Sequence, residues 1–345
     1  MRQLPKIFFL LPCLLSCSTS QVEDNFPSKE EQATIGFNTK AVDSRAAVSS
    51  VEDITEFKVF AVQSEEPDEN YEQQSDVVYN HILSDEIVYW DDELNDEAGG
   101  FTYDNTQYWV NQRTFHFFGY WPAETDAEID GVSYNLTYSA TESSALAKDD
   151  LLTFHYSEYV DADKAIFEAV PITFNRALTQ VRFEMTQDFE SNPYDEFFVT
   201  SVTFSGIKAG GTLTTSRFDK IGQWHFTEDK LSFKAEFTGT NQFRDDTTPS
   251  KTLVVFDALN LVPQKIEKNT MAFVVNYTYQ QGEADRLVGE VEERKATIYL
   301  PISEWKPGMK YNYKMSLYKN NLIVFKNINI STWGEQPDAG TIIIK

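Results

Sequence analysis

Residues 231–237, Leu-Ser-Phe-Lys-Ala-Glu-Phe, alternate apolar and polar side chains at every step. A period of two is typical of a β-strand with one face buried, because successive side chains point to opposite faces. The same alternation occurs in residues 181–185, 272–277 and 311–317, with glycine, proline and asparagine between such runs. The pattern therefore predicts many half-buried antiparallel strands.

Helical patterning is sparse, and only residues 144–152 predict one short helix or turn. Many strands at near-regular spacing predict an all-β protein built from antiparallel β-sandwiches of the transthyretin-like or Greek-key type. A chain of 345 residues is long enough for two such domains. We place the N-terminal sandwich at residues 34–175 and the C-terminal sandwich at residues 176–345.

The first residues predict export. Two basic side chains precede a short apolar run that ends at Ser16-Cys17, so residues 1–16 are interpreted as a signal peptide. The tetrad at residues 14–17, Leu-Leu-Ser-Cys, resembles the bacterial lipobox and predicts lipidation of Cys17; an ordinary signal peptide that happens to contain a cysteine is the alternative. Two or more acyl chains would hold the protein stably on a membrane. Residues 17–33 are polar and acidic, and they predict a flexible tether.

The charge excludes one class of partner. The chain has 29 Lys and Arg against 54 Asp and Glu, a formal net charge of -25. Nucleic acid needs basic patches on the protein that binds it, so it is not an expected partner. The two cysteines are Cys13 and Cys17, and neither would remain free in the mature chain. The fold is therefore expected to be stable without disulfides.

No motif for catalysis or cofactor binding occurs. The four histidines are widely spaced, so no metal site is predicted, and His116 is expected to pack within an aromatic strand. The acidic runs at residues 91–93 and 161–163 lack the full calcium-loop pattern and are interpreted as solvated loops. The sequence thus predicts a protein that is not an enzyme and has no cofactor.

Several short patterns occur in a fixed order along the chain. They are residues 35–40 with Ser44-Arg45-Ala46, then residues 57–62, 108–109, 115–122, 150–152, 170–178, 305–313 and 330–333. Taken in this order they resemble the Bacteroidota fimbrillins, which are subunits of type V pili assembled from lipoprotein precursors. The resemblance covers nearly the whole chain.

The resemblance implies an assembly mechanism. In fimbrillins a trypsin-like protease cuts behind the first strand, which removes lipid and strand together and leaves an apolar groove for a neighbour's strand. The matching bond here joins Arg45 and Ala46, with the bond after Lys40 as the alternative. The implied partners are other pilus subunits, the maturation protease, and the outer membrane through lipid on Cys17. The implied location is the cell surface, in a fimbria.

The candidate donor strand contains Ile342, Ile343 and Ile344, which are apolar and β-prone. An ordinary last strand of the second sandwich is the alternative. The resemblance leaves open whether the chain is a stalk, tip or anchor subunit, and which receptor it meets.

Tryptophans give a rival hypothesis. Aromatic rings exposed in one plane would stack against sugars, as in a glycan-binding lipoprotein of the outer membrane, whereas the same residues in a core would only pack. The four candidate residues are Trp90, Trp109, Trp121 and Trp224.

Overall fold

The structure, a computed structural model, describes residues 33–42, 54–64, 78–94, 99–130, 133–147, 149–161, 167–187, 194–216, 222–239, 243, 251–283, 286–318, 322–332 and 341–343. Regular structure in these residues is almost entirely β, which confirms the predicted all-β class. The strands up to residue 176 are β1 (Phe37–Val42), β2 (Glu56–Ser64), β3 (Tyr79–Asp91), β4 (Gly100–Thr102), β5 (Arg113–Trp121), β6 (Ala127–Asp130), β7 (Ser133–Ser139), β8 (Leu152–Val160) and β9 (Val170–Arg176).

The later strands are β10 (Thr179–Gln187), β11 (Glu196–Lys208), β12 (Gly210–Ser216), β13 (Gln223–Phe226), β14 (Lys230–Glu236), β15 (Leu253–Leu261), β16 (Ala272–Glu283), β17 (Arg286–Tyr299), β18 (Met309–Leu317), β19 (Ile323–Thr332) and β20 (Thr341–Ile343). One short helix, α1 (Glu142–Ala147), lies within the stretch between β7 and β8. Among the described residues no helix is long and apolar enough to cross a membrane.

Period-two patterning accounts for the later strands. Residues 231–236 fall on β14, and the other three quoted runs fall on β10, β16 and β18, as predicted. Along β10 every second residue is buried, because that face lies against the core while the other face is half exposed. β18 and β19 pair antiparallel, and the Tyr318 N–H donates to the Leu322 carbonyl at 2.8 Å across their connection.

The N-terminal strands form a closed sheet in the order β1-β4-β3-β2-β5-β8-β9. Its interior, here called the barrel core, is rich in phenylalanine and includes Phe57, Phe117, Phe154 and Phe174. The Phe57 ring meets the rings of Phe154 and Phe174 edge to face, at 5.9 Å and 5.6 Å between centroids. Edge-to-face packing is favourable for aromatic pairs beyond the area that they bury.

Two sheets enclose the C-terminal core. A five-stranded sheet runs β15-β10-β18-β19-β20 and a four-stranded sheet runs β14-β11-β16-β17. Phe183 on β10 meets Phe273 on β16 at 4.3 Å between ring centroids, and Trp305 donates to the Tyr313 hydroxyl at 2.8 Å. Side chains from both sheets thus pack into one cluster, as in face-to-face sheet packing.

A fourth sheet, β13-β12-β7-β6, joins strands from either side of residue 175. β7 and β12 pair antiparallel over seven residues, with Leu136 opposite Leu213. They cover a third apolar cluster, the junction core, which contains Phe60 and Phe118 from the outer face of the barrel. Strands β2 and β5 are therefore buried on both faces, which explains their nearly continuous apolar sequences.

A buried ion pair lies beside the junction core. Arg176 contacts the Asp150 carboxylate, and both side chains are almost completely removed from solvent. Burial lowers the pKa of Arg176. Such a pair is costly to break, because one partner would be left buried and uncompensated.

Candidate functional site: the seat of the first strand

The first strand is inserted into the barrel sheet. β1 runs parallel to β9, with Phe37 opposite Val170 and Thr39 opposite Ile172, and it meets β4 at Phe37 and Phe101. A parallel pairing cannot come from a hairpin, so β1 enters the sheet from a distant point in the chain. β1 closes the barrel between β4 and β9, which are not hydrogen-bonded to each other.

An irregular segment continues the pairing on the β4 side. Thr34 and Tyr108 form an isolated antiparallel bridge. The Ile35 N–H donates to the Gln107 carbonyl at 2.9 Å, and the Trp109 N–H donates to the Ala33 carbonyl at 3.0 Å. Residues 33–35 are therefore held on the β4 side, and on the β9 side the Val170 N–H donates to the Gly36 carbonyl at 2.7 Å.

Two apolar side chains anchor this strand in the barrel core. Ile35 is 2% exposed and Phe37 is 5% exposed. The Phe37 ring lies 5.4 Å from Tyr103, 5.9 Å from Phe117 and 6.3 Å from Phe57 between centroids, all edge to face. The Phe37 side chain thus fills a socket that includes three aromatic rings.

β9 depends on β1 for most of its pairing. β8 and β9 pair only at Leu152 with Arg176 and at Thr153 with Asn175. The rest of β9, residues 170–174, pairs with β1, and its inward side chains belong to the barrel core. Without β1, residues 170–174 of β9 would have an unpaired edge among the described strands, and the apolar groove that Ile35 and Phe37 fill would be open. This groove is called the β1 seat.

The groove binds its strand through apolar side chains and through hydrogen bonds to the backbone of the strand. Tyr103, just after β4, donates its hydroxyl to the Ile35 carbonyl at 2.8 Å, and burial raises the pKa of that hydroxyl. In the described part of the chain no group of three or more His, Cys, Asp or Glu could hold a metal ion. The site is suited to binding an extended strand.

The predicted site residues fall partly outside the described part of the chain. Cys17, Arg45, Ala46 and Ile344 all lie outside it, and they remain predictions. Lys40, the alternative cleavage position, lies within β1. Tyr103 and Gln107 were missed by the sequence reasoning, although the alternation of Phe101 and Tyr103 after two glycines was a usable signal.

The C-terminal candidate strand lies at a sheet edge. β20 pairs antiparallel with β19 through three residue pairs, in which Ile342 faces Ile328 and Ile343 faces Asn327. It is the outermost strand of the five-stranded sheet. A three-residue edge strand has few ladder bonds to hold it.

The four candidate tryptophans do not share one exposed plane. Trp109 is 3% exposed and packs on Phe115, with ring centroids 4.9 Å apart, while Trp121 and Trp224 are half-buried. Trp90 is 43% exposed, and its indole N–H donates to Asp92 at 2.7 Å. The packing alternative therefore holds for Trp109, and a stacking platform made by all four is wrong.

His116 is buried, as the sequence predicts. Its Nδ1 lies 2.6 Å from the Ser157 hydroxyl, which also lies 2.9 Å from Nε2 of His155. The two imidazole rings stack with centroids 6.2 Å apart. This contact links β5 to β8 on the side of the sheet opposite the barrel core.

Comparisons with known proteins agree with this architecture. The chain resembles a crystallised fimbrial protein from Bacteroides vulgatus over 87% of its own length and 99% of that chain, with 16% identity and a TM-score of 0.62. It resembles a candidate cell adhesion protein from Bacteroides ovatus over 88% and 99%, with 12% identity and a TM-score of 0.51. At such identities the likeness shows the fold alone.

No curated protein matches the sequence. A family model described as fimbrillin-like matches residues 39–333. This range covers most of the chain and includes all strands from β2 to β19. The chain belongs to the fimbrillin-like family, a group of structural adhesion proteins that are not enzymes.

Proposed function

We propose that this chain is a pilus subunit that is exported as a lipoprotein and assembled by proteolytic removal of β1 and donation of a strand between subunits. Family membership implies a fimbrial protein at the cell surface, with other fimbrial subunits as partners. The observation that carries the proposal is the seat of β1: a strand inserted parallel to β9, on which residues 170–174 depend for pairing. Lipid on Cys17 would hold the precursor at the outer membrane until the cut.

The energetics of replacement are reasonable. Burial of Ile35 and Phe37 contributes roughly 1.5–3 kcal/mol each. Ordering an incoming strand costs about 1–2 kcal/mol per residue, so ladder bonds and matched pockets must supply the remainder. An empty groove would expose both a sheet edge and a phenylalanine-rich core, so release of β1 favours immediate capture of another strand.

The two candidate cleavage positions differ in their surroundings. Lys40 lies within β1 at the irregularity of its ladder, and Thr39 and Ala41 on either side of it pair with β9. A protease must bind its substrate as an extended, unpaired segment, so cleavage there would require β1 to leave first. Arg45 follows β1 in sequence, and a cut after it would free the whole strand. We therefore favour the bond between Arg45 and Ala46.

The proposed donor includes β20 with Ile342, Ile343 and the following Ile344. β20 has only three residue pairs with β19, so few hydrogen bonds would be broken when it leaves the parent subunit. Apolar, β-prone side chains suit a groove lined by aromatic rings. We also propose two domains, at residues 34–175 and 176–345, because the barrel core and the C-terminal core are separate clusters. The pairing of β7 with β12 crosses the boundary, so the first domain is not expected to fold alone.

Limited trypsin digestion of the purified precursor, followed by mass spectrometry and electron microscopy, tests the function. We expect one early cut after Arg45, loss of the N-terminal peptide and growth of filaments. Arg45→Gln should abolish that cut and the filaments, whereas Lys40→Gln, the matched control, should leave both unchanged. A chain that loses the peptide and yet stays monomeric would contradict the proposal.

A further inference from the structure

A closed ring of three hydrogen bonds holds the inserted strand at Ile35. The Ile35 N–H donates to the Gln107 carbonyl at 2.9 Å, and the Gln107 N–H donates to the Tyr103 hydroxyl at 3.1 Å. The Tyr103 hydroxyl then donates to the Ile35 carbonyl at 2.8 Å, which closes the ring.

This ring replaces a normal ladder pair. In an antiparallel sheet, two opposed residues exchange both N–H···O bonds directly. Here only one of the two bonds between Ile35 and Gln107 is direct, and the Tyr103 hydroxyl completes the other. The hydroxyl acts as donor and acceptor at once, which a phenolic oxygen can do.

The ring lies in a dry environment. The Tyr103 side chain is 7% exposed, and its ring packs against Phe37 at 5.4 Å between centroids. A buried polar group that loses its partner costs more than a solvated one, so all three members depend on each other. One side chain thereby contacts both the backbone at residue 35 and the aromatic anchor two residues later.

We propose that Tyr103 is a positioning residue that fixes the register of whichever strand occupies the β1 seat. The inference rests on the proposed strand exchange and deepens it, because all the hydrogen bonds between the ring and the occupant use backbone groups of the occupant. An incoming strand is bound in one register. In that register one residue donates its backbone N–H to the ring, and the residue two positions later places a large apolar side chain in the Phe37 socket. Proline at the ring position is excluded, since it lacks the N–H.

The period of the strand makes this register matter. A slip of one residue would turn Phe37 to the outer face, and a slip of two would place another side chain in its socket. The regular part of the pairing with β9, at residues 37–39, offers a repeating backbone that does not by itself distinguish positions two residues apart, and the ladder is irregular only after Thr39. The Tyr103 hydroxyl binds the backbone of the strand at one position and so fixes its register.

Hydrogen exchange in the uncut full chain tests the ring without requiring any strand exchange. Tyr103→Phe is expected to accelerate exchange of the amides of Ile35 and Gln107 at least tenfold. Tyr134→Phe is the matched control, because its buried hydroxyl donates to the Gly119 carbonyl at 2.7 Å in the junction core. Equal exchange in Tyr103→Phe and wild type, or equal acceleration in the control, would overturn the proposal.

Disulfide trapping reports the register itself. Thr39→Cys is combined with either Ile172→Cys or Phe174→Cys in a chain whose two native cysteines are serine. With Tyr103 present, cross-linking should be confined to the 39–172 pair, which are register partners. In Tyr103→Phe, cross-links should also form between residues 39 and 174. Cross-links confined to the 39–172 pair in that variant would overturn the register role. Destabilisation alone would lower the yield of the 39–172 cross-link without producing the 39–174 cross-link.

A second variant covers the case in which Tyr103→Phe does not fold. Ile35→Pro removes the strand's amide from the ring, and Ile35→Ala controls for the loss of side-chain packing. We expect the amide of Gln107 to exchange at least tenfold faster in Ile35→Pro than in Ile35→Ala; equal rates would overturn the proposal. Because these measurements use uncut protein, failure of cleavage or of polymerisation would affect only the proposed function.

Discussion

Replacing the anchor of the first strand should loosen that strand specifically. Phe37→Ala removes a ring that is 95% buried and is surrounded by Phe57, Tyr103 and Phe117 at 5.4–6.3 Å. Large-to-small changes at buried phenylalanines cost about 3–5 kcal/mol. The lower half of that range applies here, because β1 meets β4 at only one residue pair and the site can partly collapse.

The assay is urea unfolding of the uncut chain, combined with the rate at which trypsin releases the N-terminal peptide. We expect the free energy of unfolding to fall by about 3 kcal/mol, with an unchanged m-value, and the peptide to be released faster. Asn38→Ala is the matched control on the exposed face of the same strand, and it should change stability by less than about 0.5 kcal/mol. Equal effects of the two variants would refute the reasoning that Phe37 anchors the seat.

Three further predictions concern the junction and the buried hydroxyls. Arg176→Met should lower the free energy of unfolding by about 3–5 kcal/mol because it leaves Asp150 buried without its cation, and the double variant with Asp150→Leu should lose much less; equal losses in urea would contradict this. A fragment ending at residue 175 should not unfold cooperatively, because β12 and Leu213 complete the junction core; a sharp melting transition would disprove it. Burial raises the pKa of Tyr138 from 10.0 to about 12, so the folded chain keeps a proton that the unfolded chain loses. Stability should therefore be complete below about pH 10 and fall as the pH rises towards 12, and equal urea midpoints at pH 9 and pH 11 would exclude that effect.

The strands of the C-terminal half could be predicted well from the sequence. Their inner faces meet a core and their outer faces meet solvent, as along β10, so the period of two is clear. β5 shows the opposite case: it is buried on both faces, and its run of aromatic residues carries no alternation from which its partners could be inferred. One face of β5 packs in the barrel core and the other in the junction core, which covers the barrel.

The candidate site could be predicted only in part. Residues 35–40 indicated a first strand, since Ile35 and Phe37 alternate with small and polar neighbours. Their partners lie about 70 and 135 residues away, at Gln107 and β9, and long-range pairing leaves no local pattern. The role of Tyr103 depends on one hydroxyl placed between two backbone groups, which no sequence period encodes.

Cross-linking within filaments would show whether a neighbour's strand replaces β1. Filaments would be grown from an equal mixture of isotopically heavy and light chains, cross-linked, digested and analysed by mass spectrometry. We expect heavy-to-light cross-links between residues 341–343 of one copy and residues 170–174 of another. Cross-links of residues 341–343 only to residues 327–329 of the same copy, where β20 pairs in the isolated chain, would contradict it.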